Sequence, residues 1–413
     1  MTSTRARLPA LIVLATVQLM VILDGTIVNV ALPAVRADLG LSEVGLAWVV
    51  NAFFVAFALV LLPAGRLGDL VGPRRVLTAG LTVFVVATAL CGLAESPAAL
   101  LAARALQGVG GGLASAVVLG MVAALFPEPA GRARAFGALA FVGAAGGAAG
   151  ALLGGALTDL GSWRWVFGVN VPLALAVLAG VLLAVPEQPG VGLRAGLAAR
   201  VPLVPRRLLT HRRFALANAV LLSVTVAGFS FQFLSGLYLQ EQLGWSPMRT
   251  GLAYLPVTAA IAVASIGLSA RLAASIGPER VAVAGLVLFV VGLVVLSAFP
   301  ADGAFWRDVA FPMLLLGTGF GLAMPQVIGM AMAVAGEADG GAASGVVATT
   351  QQLGGAVGLA VLVPLASATT LGTGLLAAAG VLAVGTGVAA TLVGPPADDQ
   401  GAPGREVGDA LVR

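Results

Sequence analysis

Twelve long apolar stretches, joined by short connections that carry most of the charge, constrain this 413-residue chain more than any other feature. A helix needs about 20 apolar residues to cross a bilayer, and each stretch is long enough. Only 10% of the residues are charged, whereas soluble proteins have about 25%. The sequence therefore predicts an all-α membrane protein with twelve transmembrane helices, over residues 10–33, 45–67, 76–94, 98–125, 133–158, 163–185, 214–241, 247–273, 281–299, 309–334, 341–366 and 371–393.

Scarce residue types exclude several classes of protein. The single cysteine, Cys91, excludes a disulfide scaffold, and with the single histidine, His211, it makes a zinc, haem or iron–sulfur site unexpected. The glycines from Gly108 to Gly112 precede Leu113, and the chain has no lysine, which excludes dinucleotide and P-loop sites. A nucleophile-elbow pattern is also missing. We therefore expect no cofactor, no metal, no nucleic-acid partner and no enzymatic activity.

The arginines predict how the chain is oriented in the membrane. If the N-terminus is cytoplasmic, 17 of the 22 arginines fall on the cytoplasmic side, and only Arg36, Arg164, Arg249 and Arg307 fall on the other. The remaining one, Arg104, lies within a predicted helix. The positive-inside rule therefore predicts a multi-pass protein of the inner (plasma) membrane with both termini in the cytoplasm.

The longest internal connection divides the chain into two parts of six predicted helices. We expect an N-terminal bundle over residues 1–185, a basic cytoplasmic linker over 186–213, a C-terminal bundle over 214–393 and a disordered tail over 394–413. The arginines of the linker alternate with leucine and valine, a pattern typical of a segment on the anionic leaflet. A solvated, flexible linker is the alternative.

The two halves repeat each other in sequence. Residues 65–76 (GRLGDLVGPRRV) align with 270–281 (ARLAASIGPERV) at an offset of 205, and residues 108–121 align with 317–330 at an offset of 209. Each pair falls in corresponding helices of the two halves. The repeat predicts two six-helix bundles related by an axis along the membrane normal, with a substrate bound between them near the midplane.

Four segments resemble the major facilitator superfamily, in particular its drug:proton antiporter branch, which usually has fourteen helices. They are residues 23–33 (LDGTIVNVALP), 65–75 (GRLGDLVGPRR), 104–108 (RALQG) and 163–172 (WRWVFGVNVP). The resemblance implies a monomeric multidrug exporter that confers antibiotic resistance. It would exchange protons for amphipathic or cationic drug-like compounds by alternating access.

Two departures from the pattern of the branch leave other functions open. The linker stands where the fourteen-helix relatives have two further helices, and Ala151 stands where their fifth-helix motif has proline. An importer or uniporter of a small metabolite on the same fold is therefore an alternative. A membrane receptor that transports nothing is a second alternative, which the repeat and a charged residue inside the membrane disfavour.

The candidate proton-coupling residues are Asp24 and Arg104. A carboxylate inside a membrane helix costs roughly 2.5–3.5 kcal/mol. Asp24 lies nine residues before Pro33 and Arg104 seven residues after Pro97, which places them about 13 Å and about 10 Å from the same membrane surface. We therefore expect them to pair. Asp24 would carry a proton or bind a cation, or else form a fixed ion pair between helices, and Arg104 could instead extend to the headgroups.

Uncharged amides inside the predicted helices are candidates for lining the substrate cavity. Because Gln18, Gly25 and Asn29 share one stripe of the first helix and Asp24 is rotated about 100° from it, we expect Asp24 and Asn29 to point to different surroundings. The full set of cavity candidates is Gln18, Asn29, Asn51, Gln107, Gln232, Gln326 and Gln351.

Two further sets of residues are expected to serve conformational change. The loop after the second helix is a candidate switch, in which three arginines would surround Asp69 and hold one state through ion pairs. Its residues are Gly65, Arg66, Asp69, Gly72, Arg74 and Arg75, and marking of topology by the arginines is the alternative. Small residues of the fifth helix would allow close helix packing, namely Gly146, Gly150, Gly154 and Gly155.

Overall fold

The computed structural model describes residues 4–126, 128–190, 192, 203–298, 304–334 and 340–393. The first six helices are α1 (Thr4–Leu39), α2 (Glu43–Val71), α3 (Pro73–Gly92), α4 (Pro97–Leu125), α5 (Pro129–Leu160) and α6 (Arg164–Ala184). The second six are α7 (Arg212–Gln242), α8 (Pro247–Ile276), α9 (Pro278–Leu296), α10 (Phe305–Ala333), α11 (Gly340–Ala368) and α12 (Leu371–Ala390).

These helices confirm the predicted fold class. Within the described residues, eleven helices are long and apolar enough to cross a membrane, and α5, with 32 residues, completes the twelve. Their bounds agree with the apolar stretches to within a few residues. A short helix, Arg206–Thr210, precedes α7. Residues 193–202 of the predicted linker and the predicted tail, 394–413, lie outside the described residues.

The ends of the helices show why the chain turns where it does. Helix starts leave backbone N–H groups that need acceptors. At one face of the bundle, serine or threonine supplies them for four helices: the side chains of Ser42, Ser96, Ser246 and Thr370 accept a backbone hydrogen bond at the starts of α2, α4, α8 and α12. We call this face the distal face, because α1 starts on the opposite one.

Turns on the face where α1 begins use glycine and proline instead. Gly72 and Gly277 have φ angles of 101° and 91°, a region that glycine enters readily. Proline follows each glycine and occupies the first position of α3 and of α9, where its missing N–H leaves no bond unmade. The two turns lie at the 205-residue offset of the repeat, so the repeated sequence produces a repeated turn.

Each bundle packs its helices in the same order. In the first, α4 lies against α2 and α3, and α1 lies against α5; in the second, α10 lies against α8 and α9, and α7 against α11. Gly150 of α5 contacts Thr26 of α1 so closely that a methyl group has no room, and Gly354 of α11 contacts Thr225 of α7 in the same way. The equivalent helices therefore use equivalent contacts. Thr26 of α1 and Thr225 of α7 are 199 residues apart, which gives the offset between these two helices.

The predicted packing glycines of α5 separate into two contacts. Gly146, Gly150 and Gly154 lie against α1, within the first bundle. Gly155 lies against the backbone of Pro247 at the start of α8, in the second bundle. The bundles meet where α5 packs against α8 and where α2 packs against α11. Helix α5 therefore packs both within the first bundle and against the second.

We expect the close approach of α3 and α4 to limit stability at Gly110. A Cβ there would lie 2.5 Å from the backbone nitrogen of Phe84 and 2.8 Å from the carbonyl oxygen of Gly80, and backbone atoms cannot rotate away. Gly110→Ala should therefore lower the free energy of unfolding by about 1–3 kcal/mol, measured by thermal unfolding of the purified protein in detergent.

Gly120→Ala is the matched control in the same helix. A Cβ at Gly120 meets nothing within 4 Å, so this variant should lose no stability, and alanine in place of a helical glycine should raise the free energy of unfolding by about 0.5–1 kcal/mol. Equal melting temperatures for the two variants would show that the spacing of α3 and α4 does not limit stability.

Candidate functional site

Asp24 of α1 and Arg104 of α4 form a buried ion pair. Arg104 Nη1 donates to Asp24 Oδ2 over 2.7 Å, and the two side chains are 1% and 0% exposed. The prediction that Asp24 and Arg104 pair, made from their equal depth, is confirmed. Arg104 does not extend to the headgroups. With both charges withdrawn from solvent, the attraction between them is much stronger than at a protein surface.

Two amides complete the hydrogen bonds of the Asp24 carboxylate. Gln107 Nε2 donates to Asp24 Oδ1 over 2.8 Å, and Asn170 Nδ2 donates to the same oxygen over 3.3 Å. Gln107 also accepts from Arg104 Nη1 at 2.6 Å and donates to Thr88 Oγ1 at 2.8 Å. This side chain is fully buried, so the prediction that Gln107 lines the cavity is wrong: it holds the ion pair in place.

Apolar rings and a backbone carbonyl enclose the guanidinium of Arg104. Arg104 Nε donates to the carbonyl oxygen of Val49 in α2 over 3.0 Å. The ring centroids of Phe53 and Phe167 lie 4.7 Å and 5.9 Å from Arg104 Cζ, within the range of cation–π attraction. The network formed by Asp24, Thr88, Arg104, Gln107 and Asn170, here called the Asp24 network, therefore joins α1, α3, α4 and α6, and α2 closes it.

The second bundle replaces this network with apolar contacts. The offset of 209 between α4 and α10 places Met313 at the position of Arg104, and the offset of 199 between α1 and α7 places Ser223 at that of Asp24. Met313 is fully buried, and the Ser223 hydroxyl donates to the carbonyl oxygen of Val220 in its own helix. The two bundles thus share one packing plan, and the first alone carries charge at these positions.

The faces of α1 separate as the residue spacing predicts. Asp24 points into the first bundle, whereas Gln18, Gly25 and Asn29 lie on a half-buried stripe. A Cβ added to Gly25 would meet nothing within 4 Å, so this stripe borders open space. Asn29 Nδ2 donates to the carbonyl oxygen of Gly25 at 2.7 Å, which leaves the amide oxygen of Asn29 available to a ligand.

The other amides predicted to line the cavity are placed in different surroundings. Asn51 is 1% exposed, and its Oδ1 has no hydrogen-bond partner. Gln326 donates to the Ser269 hydroxyl at 2.8 Å and thereby joins α10 to α8. Gln232 and Gln351 are half-buried. These positions favour Gln351 and Gln232 as open amides and assign Gln326 to helix packing.

An aromatic pair joins the two bundles near their centre. The ring centroids of Phe54 in α2 and Phe229 in α7 lie 4.6 Å apart in an edge-to-face arrangement. Gly355 of α11 lies against the Phe229 ring, and Gln351 precedes Gly355 by one turn on the same face of α11. Gln351 therefore lies on the side of α11 that faces the region where the bundles meet.

The predicted switch loop docks onto the end of α6. Arg74 Nη2 donates to the carbonyl oxygen of Leu182 at 2.7 Å, and Arg75 pairs with Glu187 at 3.2 Å. A Cβ on Gly72 would lie 2.6 Å from the carbonyl oxygen of Gln188. These contacts all lie within the first half of the chain.

Asp69 lies near one of the three arginines that the sequence predicted around it. It lies 3.9 Å from Arg66 in the same helix, and its side chain is 69% exposed. Because Arg74 and Arg75 contact the end of α6, they do not surround Asp69 in this conformation. A Cβ on Gly65 would meet nothing within 4 Å, so this part of the loop stands clear of neighbouring elements.

Ion pairs join the two bundles at the distal face. Arg36 at the end of α1 pairs with Glu241 of α7 at 3.0 Å and lies 3.8 Å from Glu43 of α2. Glu43 in turn accepts a hydrogen bond from Ser367 of α11. One arginine and two carboxylates thus connect both bundles at this face.

Two more polar contacts reinforce this distal closure. Asp159 Oδ2 of α5 accepts from the backbone nitrogen of Met248 at 2.9 Å, at the start of α8. Gln240 Nε2 of α7 donates to the carbonyl oxygen of Val30 in α1 at 3.0 Å. The distal face is therefore closed by contacts between three pairs of helices, α1 with α7, α2 with α11 and α5 with α8.

Comparison with known proteins decides the family. The sequence model of the Major Facilitator Superfamily matches residues 14–359. The chain belongs to this superfamily. It is 35% identical over 419 residues to the puromycin resistance protein pur8 of Streptomyces alboniger, covering 89% of this chain and 82% of that protein. It is 33% identical to the cephamycin export protein CmcT of Amycolatopsis lactamdurans, covering 88% and 86%.

A solved structure supports the same fold. It is that of a bacterial homologue of the human lysosomal transporter Spinster, in an inward-facing and unoccupied conformation. The TM-score is 0.74 at 16% sequence identity, and the match covers 95% of this chain and 98% of that one.

Three of the four segments that resemble the superfamily meet in the Asp24 network. Residues 23–33 supply Asp24, residues 104–108 supply Arg104 and Gln107, and residues 163–172 supply Asn170. Thr88 had no such motif to mark it, whereas Asn170 lay in one and could have been included from the sequence. Within the described residues, no three histidine, cysteine or acidic side chains form a metal site.

We expect the ion pair to behave as one energetic unit. Arg104→Met introduces the residue of the equivalent position in the second bundle and leaves Asp24 charged without its partner. Its free energy of unfolding should fall by about 3–5 kcal/mol, and adding Asp24→Ser should recover part of that loss. Thermal unfolding of the two single variants and the double variant measures the coupling.

Arg164→Met is the control for loss of an arginine pair. Arg164 binds Asp38 at 2.7 Å with 36% of its side chain exposed, so its removal should change stability by no more than about 1 kcal/mol. Additive effects of Arg104→Met and Asp24→Ser would show that the buried charges do not depend on each other.

Proposed function

We propose that this chain is a proton-coupled exporter of amphipathic drug-like compounds that works by alternating access. Its membership of the superfamily supports transport, and the names of its relatives, a resistance protein and an export protein, support export of antibiotics. The observation that carries the coupling is the buried Asp24–Arg104 pair, since membrane-embedded ionisable residues are costly and mark transport pathways.

The Asp24 network suggests how one proton is exchanged during the cycle. In the conformation described, Arg104 supplies the counter-charge of the carboxylate, and Gln107 and Asn170 donate to it. If α4 moves relative to α1, Arg104 withdraws, and a buried charge without a partner is strongly unfavourable. Asp24 would then take a proton, and re-forming the pair would release it on the other side.

The distal closure suggests which state the structure represents. With both termini in the cytoplasm of a bacterial cell, as the arginines predict, the distal face is external. Arg36, Glu43 and Asp159 then hold the outer side shut, so the binding region opens to the inside. We place the protein in the inner membrane and propose that one monomer carries the whole pathway.

An importer or uniporter of a small metabolite is the second candidate. Ala151 favours it, because α5 runs unbroken through this position, where a proline would remove a backbone hydrogen bond and kink the helix. The direction of accumulation in vesicles of known orientation separates the two candidates.

Loss of the Asp24 carboxylate should uncouple transport from protons. In everted vesicles with an imposed pH gradient, Asp24→Asn should no longer accumulate a compound that stabilises the purified protein against heat. Downhill exchange of the same compound should persist, because a neutral side chain carries no proton but leaves the binding region intact.

Glu95→Gln is the control for Asp24→Asn. Glu95 is exposed in the connection between α3 and α4, so this variant should accumulate the compound as the wild type does. Accumulation by Asp24→Asn at the wild-type rate would exclude this carboxylate as the coupling group. Accumulation by the wild-type protein only in right-side-out vesicles would favour the importer.

Weakening the distal closure should open the pathway to the outside. In a Gly25→Cys background, Arg36→Ala should increase labelling by a membrane-impermeant thiol reagent added externally, because it removes the ion pair to Glu241. The native Cys91 is buried, so its contribution to labelling should be small and identical in all samples.

Arg164→Ala is the control for this measurement. Arg164 lies on the same face, but its partner, Asp38, belongs to the same bundle. It should leave the labelling of Gly25→Cys unchanged. Equal labelling with and without Arg36 would show that these contacts do not hold the bundles closed.

A further inference from the structure

We infer that the transported compounds are uncharged amphipathic molecules, and that cations are excluded because the pathway offers them no counter-charge. This inference rests on the proposed function and chooses between the two substrate classes that the family resemblance implies. It follows from where the carboxylates of the chain lie, from the state of Asp24, and from the groups that border the open space.

The helices carry one carboxylate far from their ends. Asp38, Glu43, Asp159, Glu241 and Asp308 lie near the distal ends of their helices, and Asp69 and Glu279 near the opposite ends. Within the described residues, the other acidic side chains except Asp24 are Glu95, Glu128 and Glu187, which lie between helices. A cation held at the midplane therefore has Asp24 as its one possible partner within the helices.

Asp24 is already neutralised and covered. Its Oδ2 binds Arg104 at 2.7 Å, its Oδ1 binds Gln107 and Asn170, and none of its side chain is exposed. It also points away from the stripe of α1 that borders open space at Gly25. In the conformation described, a cationic compound would have to separate the ion pair to reach the carboxylate, and when Arg104 withdraws during the proposed cycle a proton takes its place.

The groups that border the open space are neutral. Gln18 and Asn29 lie on the open stripe of α1, and the half-buried Gln351 lies one turn from Gly355, which contacts the ring of Phe229 in the Phe54–Phe229 pair. Amides and rings suit a molecule with a hydrophobic body and a few hydrogen-bonding groups. Cation–π attraction is worth about 0.5–1 kcal/mol at exposed sites and about 2 kcal/mol or more when desolvated, and a single edge-to-face ring pair has to be weighed against the larger penalty for desolvating an ammonium that has no carboxylate partner.

Isosteric probe pairs test this directly. We would prepare a set of fluorescent amides, each in two forms, one ending in a tert-butyl group and the other in a trimethylammonium group of the same shape. Uptake is measured in everted vesicles with a pH gradient and with the membrane potential collapsed, so that charge affects binding and not the driving force. The neutral form should be taken up faster by about tenfold or more.

A new carboxylate should reverse the preference. Gln351→Glu places a negative charge on the side of α11 that faces the region where the bundles meet, and it should increase uptake of the trimethylammonium form relative to the tert-butyl form by about tenfold or more. Gln351→Met removes the amide without adding charge, so it should keep the neutral preference. It also shows whether a change at this position harms folding, since both variants can be compared for uptake of the neutral form.

The outcomes separate this inference from the proposed function. Equal uptake of both forms by the wild type would overturn the exclusion of cations and leave export intact. Preference for the neutral form, reversed by Gln351→Glu and not by Gln351→Met, would support the inference. Failure to transport any probe in either vesicle orientation would overturn the proposed function and, with it, the inference.

Discussion

The ion pair between Asp24 and Arg104 is the interaction on which the first bundle depends. A charge in hydrocarbon is tolerated only with a partner, and the pair fixes the rotation of α1 and α4 so that the two charges meet. Gln107, Asn170 and the carbonyl of Val49 then have to face the same point. Five helices are thereby oriented by one electrostatic requirement, which apolar packing alone would not specify.

The second bundle shows what the same scaffold looks like without that requirement. Its helices pack in the same order and through equivalent glycines, but Met313 and Ser223 replace the charged pair. Packing therefore determines the architecture of both halves, whereas charge distinguishes them. Under the proposed function, proton exchange would be confined to the first bundle, and the second would supply uncharged groups.

Much of this arrangement could be predicted from the sequence. Hydrophobicity identified all twelve helices, and helix geometry placed Asp24 and Arg104 at one depth before any contact was known. The i+3 spacing puts Gln107 on the same face of α4 as Arg104, but its contacts with Asp24 and Thr88 and the partners of Arg74 and Arg75 could not be predicted in this way. Gln107 faces inward because α4 rotates to bring Arg104 to Asp24, and the two loop arginines reach α6 because the chain beyond it folds back beneath them. Both depend on the path of the backbone, which spacing along one helix does not contain.

The exposure of the distal ion pairs has a thermodynamic consequence. Arg36 and Glu241 are each 34% exposed, and pairs of this kind contribute about 0–1 kcal/mol. The ionic part of the distal closure thus consists of a few small terms, which a conformational change can break at little cost. A bound molecule needs only a modest difference in affinity between the two states to redistribute them. The ion pairs between the bundles at the distal face are exposed and weak, whereas the Asp24–Arg104 pair inside the first bundle is buried. This difference favours movement of each bundle as a unit.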